Sequence, residues 1–329
     1  MRARPPITVS SPDSALLHTR VYSTDALNPP VAACEVVPVT ASDGARLRVH
    51  AYGPAEGDTV VLIHGWACRI EYWNPQINAI AGDYRVVAYD LRGHGESELG
   101  DSALTAQLLA DDLAAVLAAT LRPGQRAVLV GHSLGGMAVQ AWAARDPEQA
   151  PRFAAAVLLA NTGAGDLLGA TTLIPLFNRG WLKLPRWIGR TLLGSSAPMR
   201  PNARTKWLLR HRILSPAATN DIADFALSIA QSCPDEARAK FGLLLADLDL
   251  GRAAVDLTMP TTLTAGADDH MIPAVHSQRI AEMLREAGSF QKLSILPTGH
   301  WGTVEAYEQF NNILDEVLTA SFSAPGATA

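Results

Sequence analysis

Short apolar runs punctuate the chain. Val60-Val61-Leu62-Ile63, Val86-Val87-Ala88-Tyr89, Ala127 to Val130 and Ala156 to Leu159 are built almost wholly of apolar residues. Runs of this length and composition predict strands buried on both faces. Thr261 to Ala265 and Leu293 to Leu296 predict two more, nearer the C-terminus. Upstream, Glu35 to Thr40 and Arg46 to Tyr52 predict a strand pair joined by the turn Ser42-Asp43-Gly44. Helical spacing fills the gaps: Thr105 to Thr120, Leu134 to Arg145, Val275 to Ala287 and Thr303 to Ala320. Strands alternating with helices imply an α/β protein with a doubly wound, mostly parallel sheet.

The alternation stops after the fourth of the buried strands. Residues 163–251 carry many Leu, Trp, Arg and Pro and no clear strand, and read as a helical insertion. Residues 1–33 are rich in Pro and Ser and predict an arm or strap. The organisation expected is an arm (1–33), a core in two pieces (34–162 and 252–322), a helical cap (163–251) and a loose tail.

Composition narrows the function classes. With 329 residues and 48% hydrophobic content, the chain can bury a large core. A net charge of −5 argues against nucleic acid as a partner. The charge is uneven. Between Leu167 and Asn220 stand nine Lys and Arg and no Asp or Glu, which leaves 18 basic against 32 acidic residues, a net of −14, on the rest. Cys34, Cys68 and Cys233 are odd in number and far apart, which suits neither a disulfide framework nor zinc and points to a reducing, cytoplasmic setting. No apolar segment follows Arg2 and Arg4 as in a secretory leader, and no charge-free apolar stretch is long enough to span a bilayer as a helix.

The candidate chemistry begins at Gly131-His132-Ser133-Leu134-Gly135-Gly136, directly after a buried strand and directly before a helix. A serine there occupies a sharp turn that lifts its hydroxyl out of the sheet, and the flanking glycines make room for the backbone. The next amide, Leu134 N–H, stands at a helix N-terminus, where negative charge is favoured. Ser133 is the candidate nucleophile. It needs a base, and His300 lies in the loop after the last strand. The base needs an orienting acid, and Asp268 and Asp269, side by side after the preceding strand, are both candidates.

Five segments in order resemble the α/β-hydrolase superfamily: His64-Gly65-Trp66, Asp90 to Ser97, the Ser133 turn, Gly266 to Pro273, and Gly299-His300. The resemblance implies an eight-stranded-type sheet, the order nucleophile, acid, base along the chain, and a seryl acyl-enzyme. The family's Gly-x-x-Asp-x-x-x-Pro frame selects Asp269 as the acid and leaves Asp268 as the alternative. The family's second oxyanion donor corresponds to the backbone N–H of Trp66, beside that of Leu134. Epoxide hydrolases and haloalkane dehalogenases of the superfamily carry an aspartate where Ser133 stands, so the chain departs from them. His64, His94 and His132 read as loop-shaping residues, and Asp90 to Gly93 as a tie for its own loop. His270 and His276 lack ligand spacing, so no metal is implied. Gly163-Ala164-Gly165 has no dinucleotide spacing and Walker A is missing, so no cofactor is implied.

The function expected is hydrolysis of an apolar acyl ester, of the carboxylesterase or monoacylglycerol-lipase kind. A thioesterase, lactonase, carbon–carbon bond hydrolase or cofactor-free perhydrolase would use the same three residues. A non-catalytic small-molecule-binding protein is the alternative of another class. Arg179, Lys183, Arg186 and Arg190 interleave with Leu173, Ile174, Leu176, Phe177, Trp181, Leu182, Leu184, Trp187, Ile188, Leu192 and Leu193. That mixture suggests a lid over Ser133 with peripheral contact to an anionic lipid surface.

Overall fold

A computed structural model describes residues 20–174, 178, 183, 185–199 and 202–323. Eight strands form one sheet: β1 (Cys34–Thr40), β2 (Arg46–Tyr52), β3 (Thr59–Ile63), β4 (Arg85–Tyr89), β5 (Ala127–His132), β6 (Ala154–Ala160), β7 (Thr261–Gly266) and β8 (Phe290–Leu296). Their order is β1-β2-β4-β3-β5-β6-β7-β8. The pairs β1–β2 and β2–β4 are antiparallel and every other pair is parallel.

The core helices are α1 (Asn74–Ile80), α2 (Ala106–Thr120) and α3 (Leu134–Arg145). The insertion adds α4 (Arg186–Leu193), α5 (Ala203–Arg212), α6 (Asn220–Gln231) and α7 (Asp235–Asp247). The chain closes with α8 (Val275–Ala287) and α9 (Tyr307–Phe322). Successive residues of the central strands face opposite sides. Val61, Ile63, Leu129 and Leu159 pack with α2, α3 and α8, whereas Val60, Leu62, Val128 and Leu158 pack with α1 and α9. Two-sided burial is why these strands are apolar throughout.

Two helices differ from the pattern. α1 follows a short 3-10 turn, Ile70–Trp73, and opens on Asn74-Pro75, where apolar spacing is too short to mark a helix. The helix expected from Thr303 to Ala320 is broken: one turn, Gly302–Glu305, precedes α9, because Ala306 leaves helical geometry at φ −121° and ψ 48°. α2 begins as its sequence indicates, with the Thr105 side chain accepting from Leu108 N–H at 3.1 Å.

Residues 163–251 leave and rejoin the core through a narrow neck. Gly165 and Asp249 form a bridge, and Leu250 N–H donates to Ala164 O at 2.7 Å. Above the neck, Phe241 and Leu245 of α7 join the core on one face of the sheet, and Ile222, Phe225 and Ile229 of α6 join that on the other. Leu176, Phe177, Arg179, Trp181, Leu182 and Leu184 lie outside the described residues, as do 1–19 of the arm and 324–329 of the tail. The described part of the arm is a strap. Arg20 pairs with Asp224, Thr24 N–H donates to Asp221, Tyr22 packs edge-on against Phe225, and buried Leu27 accepts from Asn74.

The basic surplus of the insertion meets acids outside the basic stretch. Arg186 faces Asp166 at 3.8 Å, Arg190 pairs with Asp247, and Lys206 pairs with Asp224. A different kind of pair lies inside the core. Arg92 and Asp112 are both 0% exposed and joined by two hydrogen bonds of 2.6 and 2.7 Å, with Arg92 also reaching Asp43 at 2.8 Å. Removing one member of a buried pair costs about 3–5 kcal/mol, and because Asp43 still holds Arg92 the lower end of that range applies here. Asp112→Ala is therefore expected to shift the urea unfolding free energy by about that amount; a shift near that of an ordinary surface substitution would contradict it.

Candidate active site

The sheet brings the candidate residues to one edge. After β3 the chain passes to β4 on one side, and after β4 it crosses to β5 on the other. The C-terminal ends of β3 and β5 thus flank a topological switch point, where open α/β sheets carry their sites. Ile63 is in register with Gly131, His132 with Ala160, Ala160 with Thr264, and Gly266 with Leu296. The loops that follow hold Trp66, Ser133, Asn161, Asp269 and His300.

Ser133 sits in the turn between β5 and α3 with φ 52° and ψ −117°. A side chain rarely adopts a positive φ, at a cost of about 1–3 kcal/mol. Neighbouring glycines allow the turn to close. A Cβ on Gly135 would stand 2.2 Å from Ile63 O, and one on Gly131 would stand 2.7 Å from Gly136 Cα. Ser133 N–H donates to Ala160 O at 2.9 Å, and its carbonyl accepts from Met137 N–H at 3.2 Å and Thr162 Oγ1 at 2.7 Å.

Ser133 Oγ stands 3.0 Å from His300 Nε2, and His300 Nδ1 stands 2.8 Å from Asp269 Oδ2. All three residues are buried. With Nδ1–H donated to the carboxylate, Nε2 is free to accept the serine proton. The Asp269 carboxylate is filled on every side: Oδ1 accepts from the N–H groups of Met271 at 2.9 Å and Ile272 at 2.8 Å, and Oδ2 from Asn161 Nδ2 at 3.0 Å as well as from His300. The alternative acid, Asp268, is exposed, and its N–H donates to Thr298 O at 2.9 Å. One residue of difference in the turn sends the two carboxylates in different directions.

The His64-Gly65-Trp66 loop lies against the serine turn, since a Cβ on Gly65 would stand 2.9 Å from Ser133 Cβ. His64 Nδ1–H donates to Gly65 O at 2.7 Å, Cys68 N–H donates to the same oxygen at 3.2 Å, and His64 Nε2 accepts from Leu91 N–H at 3.0 Å. Burial holds the His64 ring below its ordinary pKa, hence neutral, as this bonding requires. A planar trans peptide puts N–H opposite C=O, so fixing Gly65 O also fixes Trp66 N–H. Among the described residues neither Trp66 N–H nor Leu134 N–H donates to a protein acceptor.

Other histidines and charges shape loops. His132, neutral because burial depresses its pKa far below the ordinary value, stacks on Tyr72 and donates from Nε2 to His300 O at 2.9 Å. His94, depressed to about 3 by burial and by nearby His64, donates to Arg92 O at 3.1 Å. Asp90 accepts from Ile70 N–H at 2.7 Å and Glu96 N–H at 2.8 Å, which binds the loop after β4 to the loop after β3. Cys68 is buried, and burial pushes its thiol pKa up, away from a reactive thiolate. His270 Nδ1 lies 2.9 Å from Thr172 Oγ1, and among the described residues no three His, Cys, Asp or Glu side chains could hold a metal ion together.

Two residues of the site escape a reading of the sequence. Asn161, in a left-handed conformation at φ 47°, ties Asp269 to Gly299 O. Glu305 accepts from backbone N–H groups on both sides of His300. A polar Asn161-Thr162 pair directly after an apolar strand was the available signal for the first.

Ser133 opens on a cavity of about 100 Å³. Among the described residues its wall is Trp66, Leu167, Leu168, Leu173, Ile174, Gly189, Leu192, Leu193, Leu245, Met271 and Ile272, with Thr171 as the one hydroxyl side chain besides Ser133. Thr171 Oγ1 already donates to His270 O at 2.9 Å. Most of the wall comes from the insertion, and the Trp66 indole is held to α7 by a 2.9 Å bond to Arg238 O.

Residues 60–313 match the family described as alpha/beta hydrolase family. A protein of Variovorax paradoxus (strain S110) named for carbamate hydrolysis, RutD, is 31% identical over 86% of this chain and 99% of its own. The pimeloyl-[acyl-carrier protein] methyl ester esterase of Xylella fastidiosa (strain 9a5c) is 29% identical over 77% of this chain and 91% of its own. A thermophilic esterase from Thermogutta terrifontis shares the fold with a TM-score of 0.70 at 22% identity, over 88% of this chain and 99% of its own. With that family's description spanning most of the chain, and with the sheet and the strand-to-helix serine turn in place, the protein belongs to the alpha/beta hydrolases.

Proposed function

We propose that the protein hydrolyses carboxylic esters with an apolar acyl group through Ser133, His300 and Asp269. The observation that carries this reading is the hydrogen-bonded chain from Asp269 through His300 to Ser133, opening into an apolar cavity. Ser133 Oγ attacks the ester carbonyl while its proton passes to His300 Nε2. The negative charge on the carbonyl oxygen is met by the N–H groups of Trp66 and Leu134, each worth on the order of a hundred- to a thousandfold in rate. The carbon–oxygen bond to the leaving alcohol breaks, and the alcohol takes the proton from His300. Water then attacks the seryl ester, gives its proton to His300, and the acid leaves with Ser133 restored. Asp269 holds the imidazole in the Nδ1–H tautomer and favours the imidazolium formed in each half.

The cavity wall supports the choice of substrate. A charged acyl group would lose its hydration there and meet no free hydrogen-bonding side chain among the described residues of the wall, which disfavours it strongly. Residues 163–251 serve in this reading as the cap that supplies the acyl wall. The related proteins are named for a carbamate and for a carrier-bound methyl ester, and the second suits an apolar wall better.

A fluorophosphonate probe tests the chemistry. Wild type is expected to be labelled and Ser133→Ala not, and Asp269→Asn is expected to lose on the order of 10⁴ in ester turnover while Asp268→Asn loses little. Unlabelled, folded wild type would favour a binding protein. Among nitrophenyl esters, apolar acyl chains are expected to outrun a terminally carboxylated chain of equal length. Preference for the carboxylated chain, or turnover confined to thioesters or lactones, would contradict the ester reading.

A lipid surface is the source of substrate that the insertion favours. On α4, Trp187 is 70% and Leu192 56% exposed, and Leu192 also lines the cavity. Arg186 and Arg190 flank them, though both already face acids, so the apolar pair carries more of this contact than the charge. The protein is expected to co-sediment with anionic phospholipid vesicles, and Trp187→Ser to weaken that binding without slowing a short soluble ester. Equal recovery of both proteins in the supernatant would contradict it.

A further inference from the structure

The carboxylate of Glu305 has no ion-pair partner among the described residues. Three backbone N–H groups make four contacts with it instead, and the Ser215 side chain adds a hydrogen bond. Oε1 accepts from Gly299 at 3.1 Å and from Trp301 at 3.3 Å, and Oε2 accepts from Ser215 at 2.7 Å and from Gly299 at 3.2 Å. The side chain reaches back over the start of its own one-turn helix to the N–H of Trp301, the residue that precedes it. Bonds to a charged acceptor are roughly twice as strong as neutral ones. The amides it holds flank His300 on both sides.

The remaining backbone groups of His300 are held as well. Its N–H donates to Ile213 O at 2.6 Å, and its carbonyl accepts from His132 Nε2 at 2.9 Å. The loop is also confined by contact. A Cβ on Gly299 would stand 2.4 Å from Ile213 O, and a Cβ on Gly266 would stand 2.2 Å from Gly299 O. Ile213 and Ser215 belong to the insertion, between α5 and α6. The loop carrying the base is therefore bonded to the segment that walls the cavity, and the carboxylate joins the two.

We propose that Glu305 is a positioning residue for His300, a clasp that fixes the backbone around the base and ties it to the Ile213–Ser215 turn of the insertion. The proposal rests on the reading of His300 as the base for Ser133. His300 has to meet Ser133 and Asp269 at once, at 3.0 and 2.8 Å, and a displacement of about 1 Å in such an arrangement costs on the order of a hundredfold in rate.

The test uses the full chain and two readouts that a merely structural role would not separate. One is the second-order rate of fluorophosphonate labelling at Ser133, which needs a positioned base. The other is the concentration of decan-1-ol that protects against labelling, which reads the cavity. Glu305→Ala is expected to slow labelling on the order of ten- to a hundredfold with the decanol constant unchanged. Glu305→Gln keeps one acceptor oxygen and is expected to fall between. Amide exchange in the Ile213–Ser215 turn is expected to quicken in both variants. If Glu305→Ala does not fold, Glu305→Gln decides by the same two readouts. Labelling at the wild-type rate in a folded variant overturns the clasp, as does a loss of labelling matched by a loss of decanol protection. Unchanged exchange in the turn overturns the tie to the insertion. Wild type that fails to label overturns the hydrolase reading and the clasp together, whereas labelled wild type with equally fast Glu305 variants overturns the clasp alone.

Discussion

At Ser133 the chain has to leave a buried strand and enter a helix with a positive φ, a conformation that costs a non-glycine residue about 1–3 kcal/mol. Everything around the turn bears on that cost. Ser133 N–H is taken by β6, its carbonyl by α3 and Thr162, and the chain before and after it approaches so closely that Gly131, Gly135 and Gly136 leave no space for a Cβ. The strain is held by a sheet that is buried on both faces and cannot yield locally. The result is a hydroxyl raised above the sheet edge, with a helix N-terminus beneath it and two backbone N–H groups, Trp66 and Leu134, that among the described residues donate to no protein acceptor.

The same constraint explains how the rest of the site is arranged. The partners of Ser133 come from loops after β7 and β8, so the sheet register sets their heights, and polar side chains set the final ångström. Asn161 joins Asp269 to the histidine loop, His132 holds the carbonyl of His300, and Glu305 holds the amides on either side of it. Each contributes hydrogen bonds in surroundings of low dielectric, where such bonds are strong, although Asn161 Oδ1 and His132 Nδ1 are themselves buried without a partner. The insertion completes the arrangement from above. It supplies most of the apolar wall, anchors Trp66 through α7, and contacts the histidine loop through Ile213 and Ser215.

How far this could be read from the sequence depends on the range of the interactions. The central strands were legible because burial on both faces leaves only apolar residues, and the serine turn was legible because strand, glycines and helix are neighbours in the chain. Asp268 and Asp269 could not be separated by residue type, since they differ only in which way a turn sends them. The family frame favoured Asp269, and it is Asp269 that lies against His300. Glu305 was hidden because its partners include Ser215, 90 residues away. The insertion was legible as helical, but the limits of its helices were not, since Pro and Gly break it into several short segments. Their caps were nonetheless present, with Asn202 accepting from Thr205 N–H at 2.9 Å and Thr219 from Ile222 N–H at 3.3 Å. The basic stretch suggested contact with an anionic surface, and what residue type alone did not reveal is that three of its cations also face acids of the neighbouring segments.

The central claim is that Ser133 carries the acyl group between the two halves of the reaction. The most direct measurement is rapid acid quenching during turnover of nitrophenyl octanoate, followed by peptide mass analysis. An octanoyl group is predicted on the peptide that contains Ser133, absent from the same peptide of Ser133→Ala. Turnover at an equal rate with no acylated peptide, or with the acyl group on another residue, would contradict it.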